Sequence, residues 1–213
     1  KEYSIVLVIQ YGLICFDLII KGENKQKNKQ NFLKVINWLE LKKETYMQSY
    51  VWRNPKSEQY NLNRGWISGM YQGQALSLYL RAYQLFNENT YFETATKIFH
   101  SFSIDYKSGG FRRLDSLGCI WFEEYPTEKP SYVLNGFIYS ILGVLDFYRV
   151  SKREDSYILW KSCVNTLIVN LPKYDKWYWS VYDQLKKQLV SYYYQKNVHL
   201  PLMQIMYGLT NEK

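Results

Sequence analysis

A chain of 213 residues, 47% hydrophobic and 22% charged, carries enough apolar surface for a folded core and falls outside the disordered class. Its formal charge of +8, from 27 basic and 19 acidic residues, favours a polyanionic partner. With no zinc-ligand spacing and no RNP-type aromatic motif, nucleic acid is not expected to be that partner.

The first predicted element is an apolar helix containing Gln10–Ile20. Gln10, Tyr11, Gly12 and Asp17 interrupt the apolar run 3–20, and neither a basic leader nor a small-residue cleavage site accompanies it. A buried helix is therefore expected in place of a membrane span or signal. Lys21–Lys29, broken by Gly, Asn and Gln, reads as a solvated loop. Asn31–Leu41 then sets Phe32, Val35, Ile36 and Leu39 on one helical face. The same pairing recurs twice. Gln74–Phe86 is followed by Tyr91–Phe102, with Phe92, Ala95, Ile98, Phe99 and Phe102 on its apolar face, and Gly136–Val150 is followed by Ser156–Leu171, with Leu159, Trp160, Cys163, Leu167 and Ile168. Leu202–Thr210 starts a fourth unit that has no outer helix. Successive units begin roughly every 63 residues, the mark of a repeat architecture.

A helical hairpin cannot bury its apolar face alone, so such units stack. The expected fold is all-α: a single domain over 1–213 forming an incomplete α/α toroid of helical hairpins, with a cleft at one end of the ring. An open solenoid of helix pairs satisfies the same periodicity. Three long connections, Tyr46–Gly73, Lys107–Asn135 and Pro172–Pro201, should emerge at one end, and structureless stretches of that length are usually functional. Cys15, Cys119 and Cys163 are odd in number and far apart, which reads as core thiols in a reducing compartment. The 22 Tyr and 7 Trp suit a wet, sugar-stacking groove as well as they suit helix packing.

Within the connections, Glu123 and Glu124 precede Tyr125 and a proline. In an extended segment neighbours point to opposite faces, so only one of the two carboxylates should face a cleft; a solvated acidic turn is the plain alternative. Trp66–Gln74 combines Gly65, Gly69 and Gly73, suited to close backbone approach, with the amides of Gln72 and Gln74. Tight helix packing would use the same glycines. The third connection carries WYWSVYD (177–183) and YYYQKNVH (192–199), where His199 precedes the last inner helix as a cap, a core residue or a functional group.

GWISGMYQGQALSLYLRAYQL (65–85), EEYPTEKPSYVLNGFIYSILGVLDFY (123–148) and the YD at 182–183 resemble the D-glucuronyl C5-epimerase C-terminal domain, the catalytic part of the heparosan-glucuronate 5-epimerases. QYGL (10–13) and LPKYD (171–175) extend the likeness over most of the chain. The resemblance implies an α/α toroid that converts D-glucuronate to L-iduronate in an acidic uronate-containing polysaccharide, without cofactor or metal, and that forms homodimers. The family's catalytic groups fall on Glu124, Tyr125, Tyr182 and Tyr194, and its substrate contacts on Gln72 and Asn135. Trp66, Lys186 and His199 complete the candidate site. Two departures stand out. Leu185 occupies the position of an arginine, leaving Lys186 or Lys187 as substitutes that lack the bidentate fork. Aligning on His199 puts Gln195 where a tyrosine belongs; a one-residue shift brings in Tyr194, with Tyr193 as rival.

The implied chemistry needs such residues. Removing a proton alpha to a carboxylate adds charge to a charged group, so the site must neutralise the carboxylate and hydrogen-bond the enediolate. Inversion needs a proton acceptor on one face and a donor on the other. Phenols serve as both if a basic neighbourhood lowers the pKa of one; Tyr125 with Tyr182 or Tyr194 is the expected two-face pair, with Glu124 tuning or relaying protons. A polysaccharide lyase begins with the same abstraction, and a glycan-binding helical scaffold would keep the aromatic cleft without the reaction. A glycosidase built on Glu123 and Glu124 is disfavoured, because the two side chains diverge.

Overall fold

The computed structural model describes residues 3–211. Four inner helices, α1 (Ile5–Ile20), α3 (Gly69–Phe86), α5 (Leu134–Ser151) and α8 (Leu200–Thr210), carry the repeat, and α2 (Lys25–Lys42), α4 (Asn89–His100) and α6 (Glu154–Asn170) return along the outside. A residue in the left-handed region, Asn87, Lys152 or Asn211, ends α3, α5 and α8, and each donates its N–H back into the last turn. These are the polar turns of the repeat seen as C-caps.

Two expectations are corrected. Lys21–Lys29 is not a loop: the turn is Lys21–Asn24, and α2 begins at Lys25. Lys and Gln favour helix, and Asn28 faces inward, its side chain donating to the Glu23 carbonyl at 2.8 Å. The first helix is only half buried. Ile9, Gly12, Cys15 and Ile19 form its inner stripe, while Leu7, Tyr11 and Ile14 face outward. No helix among the described residues is long and apolar enough to cross a membrane.

The helical expectation holds, with two small antiparallel hairpins added in the connections. One pairs β1 (Glu44–Tyr46) with β2 (Ser49–Val51); the other pairs β3 (Arg112–Leu114) with β4 (Ile120–Phe122), Arg113 opposite Trp121. The connections converge as predicted. Gly69 N–H donates to the Glu123 carbonyl at 2.8 Å, and Leu134 N–H donates to the Tyr182 carbonyl at 3.2 Å.

The core runs continuously from Ile9 to Met206 and is densest where α3 crosses α5. A Cβ on Gly73 would lie 2.5 Å from Ser140 Cα, and one on Gly143 would lie 2.3 Å from the Gly73 carbonyl oxygen. Only glycine fits at either position. Gly65, grouped with Gly69 and Gly73 in the sequence, does different work: the space beside it is open, and its φ of +106° makes it a turn residue. Gly73→Ala is expected to destabilise the fold by about 1–3 kcal/mol or more through overpacking, read as a lowered urea midpoint. Gly208→Ala, inside α8 with nothing within 4 Å, should instead stabilise by up to about 1 kcal/mol.

Candidate active site

β4 leads directly into Glu123–Tyr125, and the extended backbone there sends the two carboxylates apart. Glu123 accepts from Ser131 Oγ at 2.7 Å and from the Tyr132 N–H at 2.9 Å, and it faces Arg113 Nε at 3.2 Å. The Arg113–Glu123 contact is an ion pair without a hydrogen bond between these two atoms. Arg113 also stacks 3.4 Å from the Tyr106 ring centroid and donates to the Thr127 and Glu128 carbonyls. Glu123 is therefore a buried, paired, structural carboxylate.

Glu124 turns the other way and has no cation against it. It lies against α5 at Gly136, where a Cβ would come within 2.4 Å of Oε2. Oε1 accepts from the Tyr182 hydroxyl at 3.3 Å, and Oε2 has no partner among the described residues. Burial pushes its pKa up to about 7; hydrogen bonding from Tyr125 and Tyr182 opposes the rise and Asp183 adds to it. A carboxyl poised there changes charge near neutrality.

Tyr125 stacks on Tyr60 at 4.0 Å and lies 5.3 Å from Trp66. Tyr182 meets Tyr194 edge-on at 5.6 Å, and Tyr194 meets His199 at 5.3 Å. Burial, and then the charge of Glu124, hold the Tyr125, Tyr182 and Tyr194 phenols far above their ordinary range. The expectation that a basic neighbourhood lowers one phenol's pKa is thus corrected: burial and the charge of Glu124 raise all three. Asn135 is buried, its amide 3.8 Å from Met70 Sδ and its Oδ1 without a partner among the described residues. His199 is also buried. Its Nδ1 lies 2.6 Å from Ser180 Oγ, its Nε2 is free of partners among the described residues, and burial depresses its pKa to about 4. The ring is neutral at physiological pH.

The structure does not bring Gln72 or Lys186 to this cluster. Gln72 is fully buried, donates to the Tyr50 carbonyl and to Ser101 Oγ at 2.9 Å each, and accepts from the Trp52 N–H. Its amide fastens the β1–β2 connection to α3. Lys186 donates to the Gln59 carbonyl at 2.6 Å and sits over the Tyr60 ring at 4.6 Å, on the stack that backs Tyr125. Trp66 is half-buried, held by its Nε1 donating to the Pro55 carbonyl at 2.8 Å. It lines a cavity of about 610 Å³ together with Tyr71 and Tyr125, and Lys42, Arg53, Lys56 and Arg64 stand around the same cavity. Among the described residues, no group of three His, Cys, Asp or Glu side chains could hold a metal ion.

Residues 42–213 match the family described as D-glucuronyl C5-epimerase C-terminus. The chain belongs to that family. It is 31% identical over 185 residues to the D-glucuronyl C5-epimerase of Caenorhabditis elegans, covering 78% of this chain and 30% of that protein. It is 30% identical over 167 residues to an uncharacterized protein of Methanocaldococcus jannaschii, covering 76% of this chain and 54% of that one. The chain thus spans about a third and about half of the length of these relatives. Among solved structures it is similar to a family 76 glycoside hydrolase (mannosidase) of Bacteroides thetaiotaomicron, with a TM-score of 0.58 at 12% identity, covering all of this chain and 58% of that one. A second family 76 glycoside hydrolase, from a bovine strain of the same species, gives 0.52 at 14% identity over 80% of this chain and 35% of that one. The likeness to these hydrolases shows the fold, an α/α toroid that this chain builds in part.

Four further groups belong to this C5-epimerase-family cluster; Gln74 and Asp183 are legible in their sequence motifs, whereas Tyr60 and Tyr71 escape a motif reading. Tyr60 backs Tyr125 from a connection without a recognisable pattern, and its hydroxyl donates to Asp183. Asp183 also accepts from the Lys186 and Lys187 N–H groups at 2.6 and 3.1 Å, so it anchors the turn beyond Tyr182. Tyr71, pushed up to about 12 by burial and by Glu124, and Gln74, whose buried Oε1 has no partner among the described residues, lie on α3. The amide of Gln74 is legible in its motif; for Tyr71 the neighbouring glycines are the sequence signal.

The raised carboxyl predicts a pH signature. Below its ordinary value of 4.5, Glu124 is protonated in folded and unfolded chains alike. As pH rises through about 7 the folded state must ionise a buried carboxyl, and stability present at low pH is lost. Glu124→Gln should therefore gain on the wild type as pH rises from about 5 to about 8, by about 1.4 kcal/mol for each unit of raised pKa. Urea midpoints at the two pH values measure the difference.

Proposed function

We propose that this chain inverts C5 of glucuronate residues in an acidic polysaccharide, giving iduronate, as an isomerase that needs no cofactor. The observation that carries the reading is Glu124: a buried carboxyl without a cation, one oxygen free, ringed by three phenols that burial keeps protonated.

The groups form a chain. Tyr182 donates to Glu124 at 3.3 Å, and Tyr194 lies within hydrogen-bonding reach of Tyr182. Glu124 takes the C5 proton and becomes a carboxylic acid, leaving an enediolate. Tyr194 donates its proton to C5 from the opposite face and becomes a phenolate. The proton on Glu124 then passes to Tyr182, whose own proton passes to Tyr194, and every group returns to its starting state. A base poised near neutral pH and a donor held neutral are the matched pair that this transfer requires.

The uronate carboxylate needs a cation, and Leu185 supplies none. Arg53 is engaged by Glu44 at 2.9 Å and by the Gly65 carbonyl at 2.7 Å. Arg64 and Lys42 line the cavity with no ion-pair partner among the described residues; Arg64, next in sequence to Gly65 and Trp66 and able to bind a carboxylate bidentately, is the group assigned to that charge. Stacking on Trp66, with Asn135 and Gln74 accepting from hydroxyls, would orient the sugar.

Incubation with heparosan in deuterated water tests the reading. Deuterium should enter at C5 with the wild type. Glu124→Gln and Tyr194→Phe should each slow entry by about 10²-fold or more, the scale of a lost acid or base. Arg64→Gln should mainly raise KM. A growing near-ultraviolet absorbance would instead mean an unsaturated product and a lyase, and no label with bound polymer would mean a glycan-binding domain.

A further inference from the structure

The chain enters α8 through a single turn, α7 (Tyr192–Tyr194), followed by a π turn over Gln195–His199, in which the Leu200 N–H donates to the Gln195 carbonyl five residues back. The cause is legible. Pro201 has no N–H for the carbonyl of Asn197, and its ring crowds that carbonyl, so the preceding turn widens. The consequence is a change of face. In an α-helix, residues five apart diverge by about 140°; across the π turn Tyr194 and His199 lie on one side, with ring centroids 5.3 Å apart. The one-residue offset between Tyr194 and His199 in the sequence is therefore absorbed by the backbone, and Tyr194, not Tyr193 or Gln195, meets Tyr182. Tyr193 is exposed.

One hydroxyl pins both ends of this turn. Ser180 Oγ lies 2.5 Å from Gln195 Oε1 and 2.6 Å from His199 Nδ1. Ser180 is itself fixed, because its carbonyl accepts from the Val190 N–H at 3.1 Å. A serine hydroxyl has one proton. Donated to Gln195 Oε1, it leaves Oγ as the acceptor for His199, so Nδ1 carries the ring proton and Nε2 is a bare lone pair. That Nε2 is buried without a partner among the described residues.

We propose that Ser180 is a positioning residue: by bridging Gln195 and His199 it holds the π turn that delivers Tyr194 to the Glu124–Tyr182 chain, and it fixes His199 as the Nδ1–H tautomer, leaving Nε2 as the bare acceptor. The proposal rests on the C5-epimerase reading for its kinetic arm and on geometry alone for its spectroscopic arm. Long-range proton–nitrogen correlation spectra of the full chain, with His100→Gln to leave one ring, read the tautomer directly. The wild type should show Nδ1–H, Ser180→Ala should move the proton to Nε2, and Ser180→Thr should restore it. Exchange at C5 should fall about tenfold or more in Ser180→Ala with KM nearly unchanged, the mark of a misplaced donor, and recover in Ser180→Thr. Deleting Lys196 removes the extra residue of the π turn and should abolish exchange. A Ser180→Ala protein that keeps both the tautomer and the rate overturns the proposal, as does a fully active Lys196 deletion. If the wild type exchanges nothing but its tautomer depends on Ser180, the positioning role stands and the assigned reaction falls.

Discussion

The close passage of α3 past α5 sets the position of everything chemical in this molecule. With Gly73 lying against Ser140 and Gly143 against Gly73, the two backbones approach as no other residues allow. The first turns of both helices are brought beside the same connection. Gly69 at the start of α3 bonds the Glu123 carbonyl, and Gly136 at the start of α5 accepts the body of Glu124. The EEYP segment is thus held between two helix N-termini. A helix N-terminus favours an anion nearby, which offsets part of the cost of keeping Glu124 out of water.

Two carboxylates adjacent in sequence end in opposite circumstances. Glu123 has an arginine and two hydrogen-bond donors, the conditions under which a buried charge is tolerable. Glu124 has phenols alone; burial pushes both carboxyls up to about 7, but only at Glu123 does a cation oppose the rise. Aromatic packing keeps it so. Lys186, Tyr60 and Tyr125 form a layered stack behind it, and Asp183 ties Tyr60 to the turn that carries Tyr182. Charges that sequence reading would assign to a substrate, such as Lys186, serve instead to stiffen the wall of the site.

The scaffold itself is indifferent to the chemistry. Family 76 glycoside hydrolases share its toroidal path at 12–14% identity, and a fold of this kind hosts whatever groups its connections present. Here the connections present Glu124, buried without a cation, and the phenols around it. The first and last inner helices keep apolar faces outward, Leu7, Tyr11 and Ile14 on α1 and Ile205 and Tyr207 on α8, as befits the two ends of an arc of hairpins.

The sequence by itself determined the repeat. Helix positions, the inner and outer alternation and the meeting of the connections follow from apolar spacing and polar turns, because those are local or periodic properties of the chain. The divergence of Glu123 from Glu124 was legible for the same reason, since alternation along an extended segment is local. Only the tertiary structure decided which partners each would find. Gln72 and Gln74 are two residues apart in one motif, yet the first is consumed by Tyr50 and Ser101 while the second keeps a free acceptor. Tyr60 is invisible without its stack on Tyr125, 65 positions away. Tyr194 could not be placed by counting back from His199, because the π turn ahead of Pro201 changes what counting means. The direction of the phenol pKa values depended on burial, a property of the assembled core and not of any stretch of chain.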